Sequence, residues 1–284
     1  MTEMKVLAGK PVAEAHKAVL AEKLGALALQ GVRLGLGILL VGDDKAAHMY
    51  AHFMEKTAKN AGYEVFVENL PATATQEDVE GVITRWNEDD KIHGVLPLMP
   101  MPDQIDREKV IDLLLPSKDI DGLTAVNIGL VASGKDGLVP CTPRACMAIL
   151  DFYGGTLAGI NVVVIGRSQV VGKPMASLLL ARDATITICH SHTRDLVGAL
   201  QRADVVVSAI GRAHAIDGAM IKPGAVVVDV GINDLNGKTV GDIDYESLKG
   251  IAESATPVPG GVGSVTTTML LENIYEAYLC TKCQ

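Results

Sequence analysis

An α/β fold in two domains, the second built on a doubly wound parallel sheet, is predicted by three observations. Residues 161–174 read Asn-Val-Val-Val-Ile-Gly-Arg-Ser-Gln-Val-Val-Gly-Lys-Pro. The four β-branched residues at 162–165 run without polar alternation, as in a strand buried on both faces. Apolar, strand-like runs recur at 184–189, 204–210 and 225–230, with helical-length segments between the first of them; that is the rhythm of βαβ units. Strand and helix patterns also alternate through residues 34–98.

The elements follow in order. Residues 11–30 place Val12, Ala15, Val19, Leu20, Leu24 and Leu27 at helical spacing, and Gly31 ends that helix. Residues 34–41 read as a buried strand, and Gly42-Asp43-Asp44 as a turn in which Asp44 or a neighbour caps a helix over 46–61, stopped by Gly62. A strand over 63–68, a helix over 76–88 and a strand over 94–98 come next, then a helix over 106–115. Residues 116–122, Pro-Ser-Lys-Asp-Ile-Asp-Gly, read as a loop too polar to be core. Pro140-Cys141-Thr142-Pro143 precedes a helix over 144–153 that Gly154-Gly155 breaks, so the domain boundary is expected within 140–155. Beyond the strand at 162–165, Pro174 suits the first turn of a helix continued by 175–181, because its missing N–H costs nothing there. Residues 266–279 form the last helix.

Composition excludes several function classes. A chain of 284 residues with 48% hydrophobic residues can bury two cores, yet no apolar run reaches the length that crosses a bilayer. The start, Met-Thr-Glu-Met-Lys, lacks a secretory apolar region, and a cytoplasmic location is expected. A formal charge of −9 with no basic cluster argues against a nucleic-acid partner. Five scattered cysteines suit reduced thiols; Cys280 and Cys283 have C-x-x-C spacing but no second pair, and read as a plain tail before a metal or redox site.

The stretch at 161–174 also carries chemistry. A strand, a glycine turn with Gly166 and Gly172, and a helix start bring backbone N–H groups and the positive end of a helix dipole to one point, an anion cradle. The spacing is G-x-S-x-x-x-G, with Ser168 where the usual dinucleotide fingerprint has its second glycine; the bland alternative is a structural turn. Arg167 lies in the turn, and no Asp or Glu occurs at 189–193, where NAD recognition places an acid. With Ser191 just after the second strand, this favours NADP as cofactor, with NAD as the alternative.

Gly-Arg-Ser-Gln-Val-Val-Gly-Lys-Pro-Met at 166–175, Cys-His-Ser-His-Thr at 189–193 and Pro-Val-Pro-Gly-Gly-Val-Gly at 257–263 resemble the bifunctional methylenetetrahydrofolate dehydrogenase/cyclohydrolase family, and the resemblance runs over nearly the whole chain. It implies a substrate domain over 1–145, completed by a helix over 266–284, and a Rossmann-like NAD(P)-binding domain over 146–265. It also implies a homodimer through the edge of the cofactor domain. Gly166, Arg167, Ser168, Gly172, Ser191, Gly211, Gly231, Ile232 and Thr266 are then the candidate cofactor residues. Tyr50, Leu98, Asp121, Pro259, Gly260 and Gly261 are the candidate substrate residues, with Tyr50 and Asp121 as the catalytic pair. No metal is implied.

Bifunctional members carry Ser-x-x-Tyr-x-x-x-Lys after the first strand, a glutamine in Val-Gln-Leu-Pro, and an aspartate in Lys-Asp-x-Asp-Gly. Here Tyr50 and Asp121 match, but Ala47, Met54 and Leu98 stand at the serine, lysine and glutamine positions. Tyrosine and lysine four apart share a helix face, about 40° from each other. Lys56, about 240° round from Tyr50, points away, and His52 reads as a surface histidine; Lys45 and His48 stay open as stand-ins. Ser264-Val265 replaces the Pro-Met that usually follows Gly-Gly-Val-Gly. The family's lysine is the expected proton-transfer group of the cyclohydrolase step. Its loss predicts a dehydrogenase with weak or absent cyclohydrolase activity, since a positioned acid or base is worth about 10²–10⁴ in rate. The alternatives are a dehydrogenase of the same fold for another one-carbon or imine substrate, and a non-catalytic folate- or dinucleotide-binding protein.

Overall fold

The computed structural model describes residues 3–282. The chain opens with β1 (Lys5–Val6), α1 (Gly9–Leu29), β2 (Gly35–Val41), α2 (Lys45–Ala61), β3 (Glu64–Leu70), α3 (Gln76–Glu88) and β4 (Gly94–Pro97). Helices α4 (Arg107–Leu113), α5 (Ala125–Ala132) and α6 (Cys141–Phe152) lead to β5 (Asn161–Ile165), α7 (Gly172–Leu180), β6 (Thr185–Cys189), α8 (Leu196–Leu200), β7 (Val205–Ser208) and β8 (Val226–Asp229). A hairpin of β9 (Asn233–Leu235) and β10 (Lys238–Val240), then β11 (Ser254–Ala255) and α9 (Gly263–Lys282), complete it. Two compact units result: residues 17–130, 136–141 and 270–284 form one, and residues 1–16, 131–135 and 142–269 the other.

The first unit is built on a parallel sheet in the order β3-β2-β4. Every residue of the central strand β2 is buried, which its unalternating apolar sequence requires. Helix α2 begins where local chemistry allows: Asp44 Oδ1 accepts the N–H of Ala47 at 2.8 Å, and Gly62, at φ 100°, ends it in the left-handed conformation. Trp86 of α3 lies over Gly37, where a Cβ would come within 2.8 Å of the indole ring. That close approach sets the helix against the sheet, and the core continues through Val79, Val82, Ile83 and Val110.

Residues 116–122 correct the sequence reading. Lys118, Asp119 and Ile120 are buried, and Asp119 bridges to Val95 beside the sheet. Lys118 Nζ donates to the carbonyls of Trp86 and Asp89 at 2.8 Å each. Asp119 accepts from the N–H groups of Leu123 and Thr124 and from Asn127 Nδ2 at 2.7–3.1 Å. A polar segment can enter a core when its donors and acceptors are satisfied in this way. Helix α5, which follows at once, was not foreseen.

The second unit holds a six-stranded parallel sheet in the order β1-β11-β8-β7-β5-β6. Strand β5 lies between β6 and β7, so successive connections leave it in opposite directions. The crevice beyond its carboxyl end is a switch point, where open α/β sheets collect ligands. The helix after β5 starts at Gly172, so Pro174 is its third residue, still within the turn that tolerates a missing N–H. Strand β6 is the sheet edge, and unlike the inner strands it leaves Thr185, Thr187 and Ile188 exposed.

Candidate active site and cofactor cleft

In the first unit, α2 presents Tyr50 while its buried face carries Ala51, Met54 and Ala58. Met54 is 0% exposed and Leu98 5%, so the two positions matched above to the family pattern's lysine and glutamine are dry. Neither open stand-in fills the gap from a polar perch. His48 Nε2 lies 3.0 Å from the Gly42 carbonyl, and Lys45 is exposed in the first turn of α2. His52 and Lys56 are exposed, as their helical angles predict.

Asp121 follows the buried loop just described. Cys141 Sγ, at the start of α6, approaches its Oδ1 at 3.7 Å and the Ile120 carbonyl at 3.5 Å. Asn273 of α9 fixes this corner by donating to the carbonyls of Ile120 and Val139 at 2.7 and 2.8 Å. Burial and the neighbouring Asp119 charge push the Asp121 carboxyl up to about 6, against the smaller opposing effects of the Cys141 thiol and Arg107. Burial, then Asp121, then Cys141 push the Tyr50 phenol up to about 12. Tyr50 is therefore a neutral hydroxyl near pH 7, and Asp121 changes charge just below neutrality. Cys141 and Asn273 escaped the sequence reading. The Pro-Cys-Thr-Pro motif was the one available signal for the first; nothing in the composition of α9 marks the second.

The second unit carries two cavities at the carboxyl ends of its strands. One, of about 450 Å³, is lined by Gly166, Arg167, His190, Ser191, Ile210 and Arg212, among others. Gly166 has φ 117°, and a Cβ there would collide with the Ala209 carbonyl; a Cβ on Gly172 would collide with the carbonyl of Gly166. The turn is thus closed to side chains, as a phosphate cradle requires. Ser168 also has a local part: its Oγ accepts the N–H groups of Val171 and Gly172 at 3.1 and 3.3 Å, holding the start of α7. Gly211 turns the chain at φ 65° between Ile210 and Arg212. Arg212 adds a cation that the sequence reading had not assigned, and His190 adds a ring whose Nδ1 accepts the His192 N–H at 3.1 Å. Asp195, four residues after Ser191, is occupied as the N-cap of α8, accepting from Gly198 N–H at 2.8 Å. A dinucleotide with a 2′-phosphate fits this donor set.

The other cavity, of about 270 Å³, brings together Asp229, Gly231, Ile232, Pro259, Gly260 and Gly261. Thr266 lies one turn into α9, its Oγ1 donating to the Gly263 carbonyl at 3.2 Å. The candidate substrate residues therefore divide: Tyr50, Leu98 and Asp121 belong to the first unit, and Pro259, Gly260 and Gly261 to the second. Among the described residues no group of three or more His, Cys, Asp or Glu could hold a metal, and no helix is long and apolar enough to cross a membrane. No disulfide joins Cys141, Cys146, Cys189 and Cys280 among the described residues; Cys283 of the C-x-x-C pair lies outside them.

Comparison with known proteins agrees with this geometry. Residues 7–121 match the catalytic domain of tetrahydrofolate dehydrogenase/cyclohydrolase, and residues 140–282 match its NAD(P)-binding domain. The bifunctional protein FolD of Streptococcus pneumoniae is 45% identical over 279 residues, 98% of each chain. That of Geotalea daltonii is 44% identical over 274 residues, covering 96% of this chain and 98% of its own. The crystal structure of FolD from Campylobacter jejuni superposes with a TM-score of 0.94 at 38% identity, covering 96% of this chain and 98% of its own. The Trypanosoma brucei dehydrogenase-cyclohydrolase, solved with NADP and an inhibitor, gives 0.91 at 36% identity over 99% of each chain. With both of its domain models matched and relatives this similar along almost its full length, the chain belongs to the tetrahydrofolate dehydrogenase/cyclohydrolase family.

Proposed function

We propose that the protein oxidises 5,10-methylenetetrahydrofolate to 5,10-methenyltetrahydrofolate with NADP, and that it hydrolyses the product weakly or not at all. The observation that carries the second half is Met54, fully buried where the family's proton carrier stands. Oxidation at the one-carbon bridge depends on alignment rather than on an acid or base, so it survives this loss. NADP supplies the hydride acceptor when bound, with Arg167, His190, Ser191 and Arg212 around its 2′-phosphate end and the glycine turn at its pyrophosphate.

Within the folate unit, Tyr50 offers a neutral hydroxyl and ring beside the pterin, and ionised Asp121 accepts its N–H groups. Met54 and Leu98 exclude water from the methenyl carbon. Cyclohydrolysis needs water added there and a proton moved; Met54 can do neither. His48 and Lys118 are committed to backbone carbonyls. The product then leaves as the methenyl form for a separate hydrolase.

A homodimer formed along β6 is supported by the exposure of Ile188 and of Leu180 on the adjoining helix. Scattered cysteines that form no disulfide among the described residues support a reducing, cytoplasmic setting.

The test uses purified protein with 5,10-methylenetetrahydrofolate and either NADP or NAD, following reduced cofactor and methenyl product separately. Equal accumulation of both, faster with NADP, is expected. Reduced cofactor without methenyl build-up, beyond spontaneous hydrolysis, would overturn the reading of Met54. No reduction with either cofactor would overturn the dehydrogenase.

A further inference from the structure

The cofactor unit contains a pair of buried carboxylates, Asp229, which lines the smaller cavity, and Asp242, which is not among the residues lining either. Asp242, two residues after the β9–β10 hairpin, is 0% exposed. Its Oδ2 accepts from Ser208 Oγ at 3.1 Å and from the N–H of Ile210 at 2.7 Å; its Oδ1 accepts from the N–H of Arg212 at 2.9 Å and from Asn233 Nδ2 at 3.1 Å. Asp229, the last residue of β8, accepts in turn from the N–H groups of Asp242, Ile243 and Gly231 at 2.8–3.1 Å. Its own N–H donates to Thr256 Oγ1 at 2.8 Å. Glycine makes this approach feasible: a Cβ on Gly231 would overlap the Asp242 carboxylate, and one on Gly241 would overlap that of Asp229.

The four donors on Asp242 come from three places. Ser208 ends β7; Ile210 and Arg212 belong to the loop that lines the larger cavity with Arg167 and His190; Asn233 adjoins Gly231 and Ile232, which line the smaller one. One carboxylate therefore sets the loops at both ends of the dinucleotide cleft. Resting on the NADP reading above, we propose that Asp242 is a positioning residue for the dinucleotide: it holds the 209–212 and 231–233 loops in register, so that the two cavities accept one extended cofactor. A carboxylate can do this because it is acceptor-only and all four of its acceptor positions are used. An asparagine would point an NH₂ group at two of the four donors. The assignment is specific to charge and acceptor number, not to size.

The test is Asp242→Asn, with NADP binding to the free enzyme titrated directly by fluorescence and the KM for methylenetetrahydrofolate measured at saturating NADP. The expected result is at least a tenfold weaker NADP Kd in protein that retains its circular dichroism spectrum, with the folate KM within twofold of wild type. A folded variant with unchanged NADP Kd, even one that melts earlier, would reduce Asp242 to a structural role and overturn the proposal; so would equal losses for both ligands. Should D242N fail to fold, Asn233→Ala, which removes one of the four donors, is expected to weaken NADP two- to fivefold, and no change there overturns it. Wild-type protein that does not bind NADP would overturn the cofactor reading itself, an outcome separable from failure of the variant alone.

Discussion

Asp121→Asn should make the protein more stable at neutral pH while abolishing its use of folate. The Asp121 carboxyl is raised from 3.8 to about 6 by burial and by Asp119. The folded state therefore holds this proton more tightly than the unfolded chain does. Below about pH 4 both states are protonated and the residue costs nothing. As pH climbs through 6 the folded protein must keep a buried charge that the unfolded chain hydrates freely. A shift of roughly two units at about 1.4 kcal/mol each makes that cost about 3 kcal/mol at pH 7. Asparagine never ionises and still offers a carbonyl to the Cys141 thiol, so it escapes the cost. At roughly 2 °C per kcal/mol for a chain of this size, its melting temperature should rise by about 6 °C at pH 7. The assay is thermal unfolding of both proteins without ligand from about pH 3.5 to 8. The curves should draw together at the acid end, separate between about pH 4 and 6, and run parallel above that. A pH-independent difference, or a wild type that melts later at pH 7, would refute the reasoning. The raised carboxyl of Asp229 is common to both proteins and cancels. In wild type, folate binding should strengthen as pH rises through about 6, where Asp121 ionises.

Three further outcomes follow from the site. Met54→Lys should destabilise by about 3–5 kcal/mol, because an unpaired charge enters a fully buried position. Adding Leu98→Gln should recover part of this and raise methenyl hydrolysis above wild type; recovered stability without hydrolysis would mean that more than the lysine is missing. Arg167→Ala should raise the KM for NADP about tenfold or more while changing that for NAD less than threefold, the signature of a 2′-phosphate contact; equal changes would assign Arg167 to the pyrophosphate instead. Ser168→Ala should cost about 1 kcal/mol of stability, since two N–H groups at the start of α7 lose their acceptor. Its effect on NADP and NAD should be equal, and a selective loss of NADP would make Ser168 a contact of the 2′-phosphate.

What the sequence disclosed and what it hid divide by distance along the chain. The ends of α2 were legible because Asp44 caps a residue three positions on and Gly62 needs only its own φ. The strands at β2, β5, β7 and β8 were legible because apolar runs without alternation have few other uses. The burial of Lys118 was not, because the carbonyls that make it tolerable belong to Trp86 and Asp89, about thirty positions away. Asp242 was hidden for the same reason: three of its donors are 30–34 residues upstream. Ser168 shows a different division: its place in a phosphate-type turn is legible in the sequence, while the acceptor role of its Oγ toward the N–H groups of Val171 and Gly172 is visible only in the structure. Tyr50 and Asp121 were picked out by their match to the family's motifs, and Met54 by its mismatch; that Met54 is fully buried is what the packing adds.

The route of the chain through the two units bears on how such a protein can be inherited. Strand β1 pairs with β11, so residues 5 and 6 lie in the sheet of the cofactor unit, while the distal part of α9 belongs with the folate unit. A recombination event that cut the gene once, near codon 140, would deliver neither unit intact: one product would lack its closing helix, the other an edge strand. Exchange of the cofactor half between relatives therefore needs several coordinated crossovers. Change in this architecture is more readily made residue by residue than by exchanging modules.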